Sequence, residues 1–209
     1  MLDRSTLTLR RARGDRLATA AYRQDFRQRD KKIIGRDSWK FERLQHFEEP
    51  DSPSWDAFRR GDWQEALQLL RVKRDRWKKI AREDRERRSV FHRVRVVEEP
   101  LTPYLQWELH ALRVQGESGT PVRVVSAEKL RPLEISGLLP EVVTLGSQVL
   151  YEVLYTESGV LDGAVRFDDS GVIGHWEVFI QGLYEDGEDV VSYVDRHVAH
   201  LPAPPMKTE

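Results

Sequence analysis

The residue most suggestive of chemistry is Glu108, a carboxylate set in an apolar stretch of a predicted helix, Thr102–Gln115. Its neighbours three and four residues away on that helix are Tyr104, Leu105, Ala111 and Leu112. An ionised carboxylate buried among such side chains is costly unless a cation pairs with it. The pattern therefore predicts a buried ion pair that includes Glu108.

Three arginines could supply the cation. Arg93 and Arg95 share one face of the predicted strand that precedes the helix, and Arg123 lies on the strand that follows it. A Glu–Arg pair at the C-terminal edge of this sheet would form a polar pocket where open α/β sheets bind ligands. The alternative is an internal ion pair with a purely structural role, and the sequence leaves both open.

Further candidates for the same pocket are aromatic or acidic. Tyr104, Trp107, Tyr151 and Tyr155 could line it, although such aromatics also occur as ordinary core residues. Glu98 and Asp168 could join Glu108 from distant segments and form a cluster of carboxylates. Such a cluster would leave no local motif in the sequence.

Several catalytic motifs are missing from the sequence. There is no Cys, no G-x-S-x-G elbow, no Gly-rich phosphate loop and no His followed two residues later by Lys. His197 and His200 are one helical turn apart, but no third metal ligand is arranged with them. We therefore expect no metal or other cofactor, and binding is favoured over catalysis without excluding an enzyme.

The charge is distributed unevenly along the 209 residues. Residues 1–36 hold 11 Lys and Arg against 4 Asp and Glu, a net of +7, so the remaining chain carries −8 of the total −1. This composition predicts a basic, partly flexible arm that could contact nucleic acid or an acidic partner. There is no secretory signal and no apolar run long enough to cross a membrane, so the expected location is the cytoplasm.

The elements that must position Glu108 form a strand–helix–strand unit. Val90–Val97 is rich in β-branched residues, Thr102 and Pro103 open a helix, and Val122–Ser126 is a second strand. This order predicts a parallel βαβ unit. An earlier helix is predicted over Asp62–Arg88, with its last turns in solvent. Later segments predict three short strands and two helices.

The predicted fold is thus mixed α/β, with a helical N-terminal part packed on a small mixed sheet. We expect an arm over residues 1–36, one domain over residues 37–201 and a C-terminal tail over residues 202–209. Within the domain, residues 37–88 are predicted to be helical and residues 90–201 to form the sheet. The order of elements is loosely similar to that of phospholipase-D-like domains, without the histidine motif of the catalytic members.

Three stretches carry a family resemblance. They are RDSWKFERLQHFEEPDSPSWDAFRRGDWQEAL from Arg36, FHRVRVVEEPLTPYLQWELHAL from Phe91, and GSQVLYEVLYTESGVLDGAVRFDDSG from Gly146. Together they resemble DUF6879, an actinobacterial domain of unknown function. Members of that family are typically encoded beside helix-turn-helix regulators and have no established activity. The resemblance implies a regulatory neighbourhood and no mechanism.

Three functional hypotheses follow. The first is a non-catalytic regulatory protein that partners a DNA-binding regulator, the partner being implied by the resemblance; a homodimer is also open. The second is a small-molecule sensor or an enzyme that uses the pocket around Glu108. The third is nucleic-acid binding by the basic arm, which no recognised binding motif supports.

Overall fold

The computed structural model describes residues 7–9 and 13–205, which fold around one eight-stranded sheet. In chain order the strands are β1 (Asp15–Leu17), β2 (Ser38–Glu42), β3 (Phe91–Val97), β4 (Val122–Ser126), β5 (Glu141–Leu145), β6 (Val149–Tyr155), β7 (Leu161–Phe167) and β8 (Glu188–Asp189). They lie side by side in the order β1-β7-β6-β5-β2-β3-β4-β8. The neighbours β2, β3 and β4 are parallel, and every other pair is antiparallel. The predicted mixed α/β class is confirmed.

The α-helices are α1 (Thr19–Asp30), α2 (Pro53–Arg59), α3 (Trp63–Val72), α4 (Arg74–Glu86), α5 (Pro103–Glu117), α6 (Ser170–Asp186) and α7 (Val190–His197). A 3-10 helix spans Ala127–Leu133. Among the described residues, no helix combines the length and the apolar character that a membrane crossing needs. The predicted start of α5 is confirmed, because the Thr102 hydroxyl accepts from the N–H of Leu105 and Pro103 stands in the first turn.

The β3–α5–β4 unit is the predicted parallel βαβ. Its register pairs Arg93 with Val122 and Arg95 with Val124. Because side chains alternate between the two faces of a strand, Arg93 and Arg95 point to the same face as Val122 and Val124. That face is covered by α5 and α7, whose Leu105, Leu109 and Val194 pack on β4.

The opposite face of the sheet is covered by α6. Phe41, Val94 and Val125 from the central strands pack there with Trp176 and Ile180. This face is apolar at its centre, whereas the α5 side of β2 and β3 carries charged residues. The sheet therefore has an apolar core on the α6 side. On the other side an ionic layer over β2 and β3 lies between apolar clusters that cover β4 and the β5–β6 region.

The single helix predicted over Asp62–Arg88 is wrong, since it is divided at Lys73 into α3 and α4. Lys73 has φ −74° and ψ −5°, which is a turn conformation. No Pro or Gly marks this break in the sequence. Because of this break, α3 packs on α2 and α5, and α4 is a separate helix. The end of α4 is not simply in solvent, because buried Asp84 accepts from Arg87, which also donates to the backbone oxygen of Asp30 at 2.5 Å.

The helical part predicted over residues 37–88 also contains a strand, because β2 lies between β5 and β3 near the centre of the sheet. Its sequence, SWKFE, alternates aromatic and charged side chains: Trp39 and Phe41 face α6, and Lys40 and Glu42 face the other side. Ser52 and Pro53 begin α2, where the Ser52 hydroxyl accepts from the Trp55 N–H.

The basic, partly flexible arm predicted over residues 1–36 is, in its described part, attached to the sheet. Its described part, residues 7–9 and 13–36, is packed on both faces of the sheet. Leu7 and Leu9 are buried on the α6 side, whereas Tyr22 and Ile33 are buried against β5 and β6. Charge asymmetry identified a basic segment, but it carried no information about these few apolar anchors. Residues 1–6 and 10–12 of the predicted arm, and residues 206–209 of the predicted tail, lie outside the described residues.

Ile33 and Ile34 test how firmly the N-terminal segment is attached. Ile33 is 1% exposed and packs against Gly146, whereas Ile34 is 72% exposed. We expect Ile33→Ala to lower the free energy of unfolding by about 2–5 kcal/mol, because it leaves a cavity in the core. Ile34→Ala should change it by less than about 0.5 kcal/mol. Urea unfolding of both variants is the measurement, and equal values would contradict the packing of this segment.

Candidate functional site

The ionic layer under α5 contains the predicted pair between Arg95 and Glu108. Arg95 is fully buried, and its Nε donates to Glu108 Oε2 at 2.7 Å. Its Nη1 donates to the backbone oxygens of Glu42 and Val96 at 3.3 and 3.1 Å. The sequence prediction that Glu108 requires a buried cation therefore agrees with this geometry.

The pair belongs to a larger group that we call the buried ion cluster, consisting of Lys40, Glu42, Arg93, Arg95, Glu108 and Glu141. Glu42 joins β2 to β3, because its Oε2 lies 3.1 Å from Arg93 Nη1 and its Oε1 contacts Lys40 Nζ. Glu141 belongs to the adjacent strand β5. Its Oε1 accepts from the backbone N–H groups of Arg43 and Leu44, both at 2.6 Å.

The carboxyl groups of the cluster have divergent pKa values. Burial opposes ionisation of Glu42, but Arg93, Lys40 and Arg95 outweigh it and lower its pKa to about 2. Burial and the nearby Glu42 charge raise the pKa of Glu141 to about 7. Burial also raises the pKa of Glu108, and the charge of Arg95 offsets only part of that rise. Glu42 is thus a permanent anion, whereas Glu141 titrates near neutrality.

Of the other predicted site residues, the aromatics Tyr104 and Trp107 lie beside the cluster, and Tyr155 lies further along the same aromatic core. Tyr104 is buried next to Glu108 on α5, and its hydroxyl donates to Glu49 Oε1 at 3.0 Å. The indole N–H of Trp107 donates to Ser54 at 3.0 Å. Tyr155 packs against Phe47 with ring centroids 4.5 Å apart. Tyr104, Trp107 and Tyr155 each pack in an aromatic core, so the alternative that they are ordinary core residues describes them well.

The remaining predicted residues do not join this site. Arg123 is paired in register with Val94, so it points to the opposite face, where it stacks over Tyr184 at 5.4 Å. Glu98 is half-exposed beyond β3 and pairs with Arg43 at 2.7 Å. Tyr151 donates to Asp25 at 2.7 Å.

Asp168 is also separate from the cluster. It lies 3.5 Å from Arg166 and 3.9 Å from Arg29. The suggested meeting of Glu98, Glu108 and Asp168 is therefore wrong, because each carboxylate pairs with an arginine of its own.

Two cavities open beside the cluster. The smaller, about 390 Å³, lies between α3, α5 and β2 and has Glu42, Arg93 and Glu108 in its wall. The larger, about 660 Å³, lies between α1 and α4 above the start of β3, and we call it the α1–α4 cleft. Trp77, Arg93 and Gln115 line both cavities. Among the described residues there is no group of three His, Cys, Asp or Glu side chains arranged to hold a metal.

The α1–α4 cleft combines aromatic walls with buried polar atoms that have no partner. Phe26, Trp77 and Phe91 provide the walls. The Nε of Arg93, the Oε1 of Gln115 and the Oγ1 of Thr120 are buried and make no hydrogen bond within the described chain. Buried polar atoms are normally satisfied, and three of the thirteen that lack a hydrogen-bond partner in the described residues belong to side chains that line this one cavity. This grouping makes the α1–α4 cleft the candidate place for a bound molecule or ordered water.

Some of these site residues could have been predicted from the sequence, and others could not. Lys40 and Glu42 could have been found, because charges alternating with Trp39 and Phe41 indicate a strand with one ionic face. Gln115 and Thr120 carry no such signal, since they flank the end of an ordinary helix. Arg93 was identified, but with Glu108 as its expected neighbour; its ion pair is with Glu42.

The Arg95–Glu108 pair yields a stability prediction. Glu108→Ala leaves the Arg95 charge buried without its carboxylate and should lower the free energy of unfolding by about 3–5 kcal/mol. Glu108→Gln should cost less, because the amide oxygen can still accept from Arg95. Glu86 is a matched control, since its contact with Arg82 at 4.0 Å is solvent-exposed; Glu86→Ala should cost less than about 1 kcal/mol. Denaturant unfolding measures all three, and a cost for Glu108→Ala no larger than that of Glu86→Ala would contradict the prediction.

Glu141 yields a pH prediction. Its folded-state pKa of about 7 lies above its usual value of 4.5, so the native protein binds this proton more tightly than the unfolded chain. The contribution of protonated Glu141 to the free energy of unfolding is fully present below pH 4.5. It is lost as the pH rises through 7. Glu141→Gln keeps a neutral side chain throughout. The thermal midpoints of variant and wild type should therefore be similar at pH 5, while the variant should melt about 3 °C or more higher at pH 8. A pH-independent difference would exclude this titration.

Comparison with known proteins places the chain in a family without giving an activity. A family model described as a domain of unknown function, DUF6879, matches residues 24–195. No curated protein shows significant similarity to the chain. The matched range runs from within α1 to within α7 and so includes strands β2 to β8, the buried ion cluster and the α1–α4 cleft, but not β1. The chain therefore belongs to the DUF6879 family.

Proposed function

We propose that this chain is a non-catalytic regulatory protein that binds a small molecule in the α1–α4 cleft and acts through a protein partner. The observation that carries the binding part is the set of three unpartnered polar atoms, from Arg93, Gln115 and Thr120, around one aromatic-walled cavity. A largely apolar cavity with a few convergent polar groups is the usual form of a small-molecule site. Its volume, about 660 Å³, lies within the range of such sites.

The surrounding charges support binding over turnover. Arg93 is held by Glu42, and Arg87 is held by Asp84. With a pKa of about 2, Glu42 stays ionised at neutral pH and does not serve as a proton donor there. These ion pairs fix the shape of the cavity wall, which suits recognition of a ligand.

The cleft's position supports a regulatory role. Its walls come from α1 and α4, whereas its floor is β3 of the sheet. A ligand that contacts α1, α4 and β3 would hold the two helices against the sheet. The outer faces of α1 and α4, which point away from the cleft, would shift with the helices. A DNA-binding helix-turn-helix regulator is the partner that the family resemblance implies, and it remains part of the proposal.

A thermal-shift screen of a metabolite library against the full chain tests the binding part. A true ligand should raise the thermal midpoint of the wild type by several degrees at a concentration about 100 times Kd. Trp77→Ala should reduce that shift, because it removes one wall of the cleft. Trp63→Ala is a matched control on α3, since Trp63 does not line the cleft. If no compound gives a shift that depends on Trp77, the binding proposal fails.

Affinity capture with the tagged chain tests the partner part. We expect one DNA-binding regulator to be enriched, and the enrichment should change when the ligand from the screen is added. Capture of the same regulator by an unrelated protein of similar charge would contradict a specific partnership.

A further inference from the structure

The hydrogen-bonding groups of the α1–α4 cleft specify a class of ligand, and this inference rests on the proposed binding function. The Nε of Arg93 is a buried donor and the Oε1 of Gln115 is a buried acceptor, and neither makes a hydrogen bond within the described chain. Thr120 offers a hydroxyl, which can donate or accept. Gln115 Oε1 and Thr120 Oγ1 are buried atoms of residues that are 7% and 6% exposed, so bulk solvent does not satisfy either of them.

These groups come together at one end of the cleft. Arg93 lies at the start of β3, where its backbone N–H donates to the Pro121 oxygen at 3.2 Å. Thr120 immediately precedes Pro121, and its backbone N–H donates to the Gln115 oxygen at 3.1 Å. The three residues are therefore adjacent through the backbone as well as through the cavity that they line.

A ligand that satisfies them needs an acceptor for Arg93 beside a donor for Gln115. A carbonyl next to an N–H, as in a lactam or a primary amide, offers both on one edge. The Oε1 of Gln115 is the buried atom of its amide, so it accepts from the ligand N–H, and the Thr120 hydroxyl can donate or accept beside it. Leaving such buried groups unpaired costs binding energy, so the site discriminates against compounds without that edge.

The aromatic walls of the cleft determine the shape of the ligand that fits. Phe26, Trp77 and Phe91 are aromatic, and aromatic side chains stack well on flat heteroaromatic rings. The ligand is therefore planar over most of its area.

The charges of the cleft disfavour anions. The cations Arg93 and Arg87 are already paired with Glu42 and Asp84. The rim also carries three acidic residues, Asp30, Glu83 and Glu86, and one lysine, Lys31. A phosphate or carboxylate would meet net negative charge there, so a neutral compound is favoured.

We propose that the α1–α4 cleft binds a neutral, planar heteroaromatic lactam, of the kind found in oxo-purine and pyrimidine bases and their nucleosides. The lactam edge lies against Arg93, Gln115 and Thr120, and the ring stacks within the aromatic walls. Nucleoside phosphates bind less tightly, because of the acidic rim.

Calorimetric titration of the full chain with hypoxanthine and inosine tests this proposal. Indole, which is flat but lacks the lactam, benzoate, which is an aromatic anion, and inosine monophosphate serve as comparison ligands. We expect saturable binding of hypoxanthine or inosine, and about tenfold weaker binding of each comparison ligand. Gln115→Leu and Thr120→Val should each weaken lactam binding by about tenfold. Gln148→Leu, at an exposed glutamine in the β5–β6 turn, should leave it unchanged.

The outcomes separate this inference from the function on which it rests. If the lactams do not bind but indole, benzoate or a library compound binds in a manner sensitive to Trp77→Ala, the ligand class is wrong and the binding function stands. Tighter binding of inosine monophosphate than of inosine would overturn the preference for neutral compounds. If nothing binds with sensitivity to Trp77 or Gln115, both fail. Should Gln115→Leu not fold, Thr120→Val alone decides the role of the polar edge.

Discussion

Arg95 is a fully buried cation in the central part of the sheet, and much of the structure around it is arranged to make that burial tolerable. The cost of removing a guanidinium from water is met by Glu108 on α5 and by backbone oxygens of β2 and β3. These partners come from three separate elements. The ionic layer therefore fixes how α5 lies on the sheet and how β2 lies beside β3, in a way that apolar side chains of similar size would define less sharply.

The same layer has a second consequence for Glu42 and Glu141. Glu42 is stabilised as an anion by Lys40 and Arg93, and its charge in turn disfavours ionisation of Glu141 on the neighbouring strand. Two carboxyl groups of the same type thus differ in pKa because of their neighbours and not because of their burial, which is nearly equal. Arg93 extends the layer to the wall of the α1–α4 cleft, so the ionic network and the candidate binding site share one residue.

The cleft itself exists because two helices from different parts of the chain flank the start of β3. α1 is anchored by its own Tyr22 and by Ile33 just after its end, in the core beside β5 and β6, and α4 is separated from α3 by the break at Lys73. Arg87 joins them by reaching from the end of α4 to Asp30 at the end of α1. A helix that continued straight from α3 would not hold Trp77 in the position from which it lines both cavities.

The sequence by itself determined the features that depend on neighbours in the chain. Thr102 and Pro103 begin α5, β-branched residues form β3 and β4, and the apolar surroundings of Glu108 require a nearby cation. Local hydrogen bonding and side-chain periodicity are sufficient for such features, because the groups involved lie within a turn or within one βαβ unit.

Tertiary structure alone decided which distant groups meet. Strand order and register brought Glu141 and Lys40 into the ion cluster and turned Arg123 to the opposite face. Packing of a few apolar anchors attached the basic N-terminal segment, and the turn between α5 and β4 placed Gln115 and Thr120 at the α1–α4 cleft. A single-residue change of register reverses the face on which a side chain lies, and neither register nor strand order is encoded in local periodicity.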